Sequence, residues 1–378
     1  MIIPEEQLSG EDVRRVVEQT LREHLKLAID GYKCDTGCVV NVLVKAAIER
    51  QTMESVCDDL ALEVSSNTVR ERLNTLLDVY DLREHECEMN AGLAGNIPEQ
   101  LPRRGREMAL DLHDEPFYGQ TPELRTYACR GAAKEGTTHF YRVATLYVMW
   151  RAVRVTLALT YVLPEDSNLS VVQRLLQRMQ HLNFRPSVVY MDKEFCEGPI
   201  VRYLTAARIP AILACTVRGD SGGTRALCRG RKGYCTEYTF SDGTTARLAL
   251  LPARVPDKNG RRHVKWLVFV VIHLDWSAKK VAQRYRRRFG IETTYRQLDP
   301  LRARTTSRNP ALRFFLLGLG FLLLNIWVML RFLATRLIAH GPMRWDADAF
   351  RLFRFIVFLR RAIEHAMGTT DTIPIYSW

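Results

Sequence analysis

The chain has 378 residues, of which 47% are hydrophobic, and 54 Lys and Arg stand against 42 Asp and Glu for a net charge of +12. That length predicts two or three domains at roughly 100–200 residues each, and the balanced composition argues against a disordered or repetitive chain. A basic surplus with a pI near 9.4 points toward nucleic acid or an anionic membrane surface and says nothing about fold. The nine cysteines are an odd count, and the start, Met-Ile-Ile-Pro-Glu-Glu, has no signal-peptide pattern. Free thiols in a reducing cytoplasm are the expectation. Cys34-x3-Cys38 with His85-x-Cys87 is poor spacing for a zinc module.

Residues 1–90 read as a helical domain. Val13, Val16, Val17, Leu21, Leu25 and Ala28 fall near helical spacing, and a second helix is expected over Val39–Glu49. Thr52–Leu60, a break and Ser65–Leu77 then form a helix-turn-helix-like unit, with Ser66 or Asn67 as the expected cap. Arg70 falls near the exposed beginning of its second helix, where recognition helices touch DNA. An ordinary α-hairpin has the same pattern. Residues 91–106, polar and carrying Pro98 and Pro102, read as a linker.

From residue 107 the pattern changes. Glu107–Asp114 is a short apolar strand ending in acid, followed by β-rich His139–Trp150 and Val153–Leu163. Ser167-Asn168 caps a helix to about Leu182; Ser187–Asp192 is a second apolar strand ending in acid; a helix at Glu197–Ala207 and a strand at Ile209–Val217 follow. This order predicts an α/β sheet with helices on its faces over 107–217. The glycine-punctuated residues 218–264 read as a small antiparallel β insertion with a basic tip, Arg225–Lys232. The core resumes over 265–340, and 341–378 form a basic helical tail. Within that second part, Phe314–Leu330 is an apolar run broken only by Asn325. It is long enough to be a single membrane span, yet a helix buried on all sides in a protein core reads the same way.

The segment with the most chemistry is Tyr285-Arg-Arg-Arg288-Phe-Gly-Ile-Glu292, with Tyr295-Arg296 just beyond. Glu292 is a lone acid in a dense cationic helix, and nearby positive charge favours its ionised form. Such a carboxylate suits holding a metal ion against a phosphate backbone; a solvated basic helix with an incidental Glu is the plainer alternative. Asp111 and Asp192 fall at or near the ends of two apolar strands, where ligands of open α/β sheets gather. Two aspartates and a glutamate could hold two Mg²⁺ ions, which activate water and stabilise a leaving 3′ oxygen. Asp114, Glu115 and Glu194 are neighbouring acids that spacing does not exclude.

The order Asp111, Asp192, Glu292 resembles the RNase H-like DDE transposases of insertion sequences, within them the cut-and-paste group with a β-strand insertion before the Glu. Asp111-Leu-His-Asp-Glu-Pro-Phe-Tyr118-Gly119 is similar to that group's first-Asp segment and Tyr190-Met-Asp192-Lys-Glu-Phe195 to its second. Tyr285, Arg288 and Glu292 match the first three members of its Tyr–Arg–Glu–Lys signature in type and spacing. The resemblance covers about residues 105–335. It implies an RNase H-like mixed sheet flanked by helices, with a β-rich insertion and an N-terminal all-helical domain. It implies Asp111, Asp192 and Glu292 as catalytic metal ligands for Mg²⁺, with Mn²⁺ able to substitute, and Tyr285 and Arg288 as contacts to terminal phosphates. Trp266 stands where the family keeps a tryptophan that stabilises a flipped base; a strand core residue is its other reading. Asp299 occupies the place of the signature lysine, so Arg296, Arg302 or Arg304 would have to supply that phosphate contact. The implied activity is binding of terminal inverted repeats in double-stranded DNA, cleavage at the ends and joining of 3′-hydroxyls to target DNA. A dimer in the synaptic complex, a cytoplasmic, nucleoid-associated location and no membrane complete the expectation. The competing classes are a non-catalytic DNA-binding protein, including an inactive transposase copy, and a single-span membrane protein.

Overall fold

The computed structural model describes residues 7–29, 31–32, 34–150, 153–219, 221–256, 260–289, 298–334, 336–337, 344–345 and 350–369. The chain divides into two compact units, one of residues 1–100, 117–127 and 295–378, the other of residues 101–116 and 128–294.

The first unit is helical. Helix α1 (Gly10–His24) starts at a capping box in which Ser9 and Asp12 satisfy each other's backbone amides. Helix α2 (Thr36–Glu49) starts at Asp35, whose carboxylate accepts from the Cys38 amide. Helices α3 (Met53–Asp59) and α4 (Ser66–Leu76) follow and pack on each other. The cap of α4 is Ser65 rather than Ser66 or Asn67, because the Ser65 hydroxyl reaches the Thr68 amide while Asn67 accepts from Arg70. Helix α5 (Leu82–Gly95) corrects the expected linker: Met89, Leu93, Ile97 and Leu101 are buried, so apolar side chains draw this polar-looking stretch into the core. A short helix α6 (Pro122–Arg125) also belongs to this unit.

The second unit is a nine-stranded mixed sheet flanked by helices. Strand β1 (Arg104–Pro116), β2 (Cys129–Lys134), β3 (Thr137–Trp150) and β4 (Val153–Val162) are antiparallel neighbours, with β3 pairing all three others. Every residue of β4 is buried, including the polar Arg154, Thr156 and Thr160. Helix α7 (Asn168–His181), capped by Ser167 as expected, packs on β4 and β3. Strand β5 (Arg185–Met191), α8 (Gly198–Ala206) and β6 (Ala211–Cys215) follow, with β5 parallel to both β1 and β6. After a short α9 (Gly223–Ala226), strands β7 (Tyr234–Thr239), β8 (Thr245–Pro256) and β9 (Arg262–Ile272) come next. They extend the same sheet, since β9 pairs β6 and β8 pairs β9. The antiparallel strands of this β-rich stretch thus continue the central sheet. Helix α10 (Ala278–Phe289) lies on β8 and β9.

Residues 295–378 return to the helical unit, which corrects the expected assignment of 265–340 to one core part. Helix α11 (Pro310–Ala334) carries the apolar run and packs on α5, α1 and α2. By length and composition it could cross a membrane, but 83% of its most apolar window is buried inside the protein. Gly318 and Gly320 permit this: a Cβ on Gly318 would meet the Met89 side chain at 2.7 Å, and one on Gly320 would meet the Leu301 carbonyl at 2.9 Å. A two-stranded ladder, β10 (Arg336–Leu337) with β11 (Arg344–Trp345), precedes α12 (Leu352–Ala366), which packs on α1.

Candidate active site

Three chain segments of the sheet unit converge at the end of β5. The first is β1. Its start carries a register irregularity around Gly105, whose φ of +71° favours glycine. Beyond it β1 runs parallel to β5 only as far as Ala109↔Tyr190. Asp111, two residues further on, is paired on the other side with Thr145 of β3. It is thus a mid-strand residue, not a strand end as its sequence predicts, and it sits where β1 and β5 part. The second segment begins at Asp192, directly after β5, where Oδ1 accepts from the Lys193 amide at 2.6 Å. The third is α10.

Arg288 of α10 joins the two acids. Its Nη2 lies 2.9 Å from Asp111 Oδ1 and its Nη1 lies 3.5 Å from Asp192 Oδ1. Nη1 also donates to the Tyr285 hydroxyl at 2.8 Å, and that hydroxyl donates to the Met191 carbonyl at 3.1 Å. Both Arg288 and Tyr285 are buried. Burial works against the Arg288 charge, but Tyr285, Asp111 and Asp192 outweigh it and hold the guanidinium protonated above its ordinary range. Burial pushes the Tyr285 phenol up to about 12, with Arg288 opposing the shift and the two aspartates adding to it. Tyr285 packs on Phe269 and Tyr190, at ring-centroid separations of 4.8 and 6.0 Å.

The neighbouring acids are engaged elsewhere. Arg142 of β3 holds Asp114 in a two-pronged pair at 2.7 and 2.9 Å and reaches Glu194 at 3.8 Å. Glu115 is buried and lies 3.8 Å from His113. Asp111 and Asp192 share Arg288 of α10, whereas Asp114 and Glu194 share Arg142 of β3. Behind Asp111 and Asp192, Arg154 of β4 donates to Thr145 at 3.0 Å and stacks 3.5 Å from the centre of the Tyr147 ring.

The other expected site residues are placed as follows. Glu292 and Arg296 lie outside the described residues. Trp266 is half-buried on β9 opposite Pro252 of β8. Arg70 is exposed on α4, with its guanidinium on Asn67 at 2.8 Å. Arg302 and Arg304 belong to the helical unit, where the Arg304 amide donates to the Gln51 carbonyl. Asp299 is exposed in a short 3₁₀ turn, Asp299–Leu301. No group of three or more His, Cys, Asp or Glu suited to a metal occurs among the described residues. All nine cysteines are free.

Sequence reading missed Glu107. It accepts from Arg284 of α10 at 2.7 Å and lies 3.5 Å from Arg287. The i, i+4 spacing of Glu107 and Asp111 on the strand, against Arg284 and Arg288 on the helix, is the signal that could have found it.

Comparison with known proteins finds one family match and a structural likeness. Residues 154–326 match the family described as "Transposase DDE domain". Asp192, Tyr285, Arg288 and Glu292 fall inside that segment, and Asp111 precedes it. The fold as a whole is similar to the "Cryo-EM structure of piggyBac transposase synaptic complex with hairpin DNA (SNHP)". The TM-score is 0.60 at 11% identity, over 97% of this chain and 83% of that one. No curated protein matches the chain.

Proposed function

We propose that this chain is a DNA transposase that cuts and joins phosphodiester bonds at the ends of a mobile element. The observation that carries the reading is the convergence of Asp111 and Asp192 on the Arg288 guanidinium, beside a segment that matches the transposase DDE domain. Phosphoryl transfer asks little covalent chemistry of a protein; it asks for positioned charge. The two carboxylates are hard oxygen donors where β1 and β5 part in the middle of the sheet, a set that fits Mg²⁺ or Mn²⁺, with Glu292 as the third ligand. When bound, such an ion supplies an activated water or 3′-hydroxyl and stabilises the departing oxygen.

The chain's own residues do the rest. Tyr285 and Arg288 present a phenol and a guanidinium beside the aspartates, and a phosphate entering there would find two buried donors. Arg288 can exchange its carboxylate partners for phosphate oxygens without losing its contact to Tyr285. In the first unit, Arg70 on the exposed face of α4, with Arg302 and Arg304, would supply contacts to the duplex backbone. Trp266 offers a half-exposed aromatic face for a displaced base. Two ends are brought together in a dimer. The test replaces Asp192 with Asn in the purified chain. Duplex binding should persist while Mg²⁺-dependent nicking disappears; nicking that survives removes Asp192 from the site.

A further inference from the structure

Glu107 and Asp111 occupy the same face of β1, four residues apart, because strand side chains alternate. Arg284 and Arg288 are four residues apart on α10, one turn of helix. The two pairs meet in parallel: Arg284 on Glu107 at 2.7 Å, with Arg287 at 3.5 Å, and Arg288 on Asp111 at 2.9 Å. Glu107 is largely buried at this junction. Burial, and then the adjacent Glu107 carboxylate, raise the Tyr190 phenol above its usual range.

The two clamps differ in what the chemistry asks of them. Asp111 has to release Arg288 when it takes up a metal ion, and Arg288 has to turn to a phosphate. If α10 were held to β1 only through that pair, loading the site would loosen the helix that leads into Glu292. Among the described residues, the ion-pair partners of Glu107 are Arg284 and Arg287 of α10, and the Tyr190 phenol lies beside it.

We infer that Glu107 is a positioning residue of the reaction: through Arg284 and Arg287 it keeps α10 docked on β1 while Asp111 and Arg288 change partners. This rests on the transposase reading for its consequence in catalysis, but the docking itself can be measured without any activity. A double-variant cycle on the full chain, read by hydrogen exchange of the α10 amides, tests it. E107A and R288Q each remove one clamp and should each speed α10 exchange by no more than about threefold, while the pair together speeds it at least about tenfold beyond the product of the two, the size expected for coupled contacts. Exchange that is multiplicative overturns the inference. E107Q, which keeps the shape and loses the charge, serves if E107A does not fold, and should fall between E107A and the unaltered chain.

The second arm reads catalysis. E107A should lower the Mg²⁺-dependent nicking rate about tenfold to a hundredfold, the range for a slightly misplaced group, while duplex affinity stays within about twofold and E107Q recovers part of the rate. Equal loss of binding and turnover, or no loss of either, contradicts a positioning role. Absence of metal-dependent nicking in the unaltered chain would count against the transposase reading, and the exchange arm would still decide the clamp.

Discussion

The Arg288 guanidinium lies 2.9 Å from the Asp111 carboxylate and on the same side reaches Asp192 at 3.5 Å, so a single cation spans the two acids proposed to bind metal. A divalent ion and Arg288 therefore compete for the same oxygens. R288Q should tighten Mn²⁺ binding in the absence of DNA by about twofold to fivefold, the scale of an ion pair worth up to about 1 kcal/mol. Electron paramagnetic resonance of free Mn²⁺ in a titration measures this. Unchanged or weaker binding would show that the guanidinium does not hold the metal's place.

Tyr285 gives a pH prediction. Its phenol ordinarily titrates near 10 and is pushed up to about 12 by burial in the fold. The folded state thus keeps a proton that the unfolded chain loses. This stability is fully present below pH 10 and is lost as pH rises toward 12, by about 3 kcal/mol in all. Tyr285→Phe should be less stable at neutral pH by about 1 kcal/mol for the lost hydrogen bond, yet show a shallower alkaline fall in denaturant midpoint. Parallel curves for the two proteins would contradict the assignment.

Lys45 ties three helices of the helical unit. Its ammonium is buried and lies 3.1 Å from Glu49, 2.9 Å from Asp59 on α3 and 2.8 Å from Glu364 on α12. Burial opposes the charge, but the three carboxylates, Glu364 first, hold it above the ordinary lysine range. Lys45→Met leaves those acids facing one another without a cation and should cost about 3–5 kcal/mol. Urea denaturation measures it; a loss under about 1 kcal/mol would mean that water and rearrangement replace the lysine.

Helix α11 predicts sensitivity at its glycines. Gly318→Val would drive a branched side chain into Met89 and should destabilise the unit by about 1–3 kcal/mol through overpacking. Thermal denaturation checks this, and an unchanged midpoint would show that the α5–α11 contact is looser than the geometry requires.

What sequence made legible was local. Ser167 announces α7 because a hydroxyl before a helical pattern has one use there, to accept an orphan amide. Asp192 follows an apolar run and does end β5. Asp111 was located but its setting was not: β1 continues to Pro116 because β3 pairs it that far. The stretch read as a linker hides Leu93, Ile97 and Leu101, whose burial depends on partners far along the chain. Ion pairs were least legible. Glu107 and Arg284 are 177 positions apart, and Asp114 was separated from Asp111 only by finding Arg142 upon it. A single sequence carries no local signal for such pairings, because folding, not adjacency, makes them. Glu292, the clearest feature of the sequence, lies outside the described residues.

Asp111, not its neighbour Asp114, is expected to form the metal site with Asp192. The most direct measurement is the rate of strand cleavage on a duplex containing an element end and its flanking DNA, with Mg²⁺ or with chelator, by the unaltered chain, D111N and D114N. Cleavage should require the metal, be lost in D111N and persist in D114N. Cleavage in chelator, or a D114N protein that is inactive beside an active D111N, would contradict this.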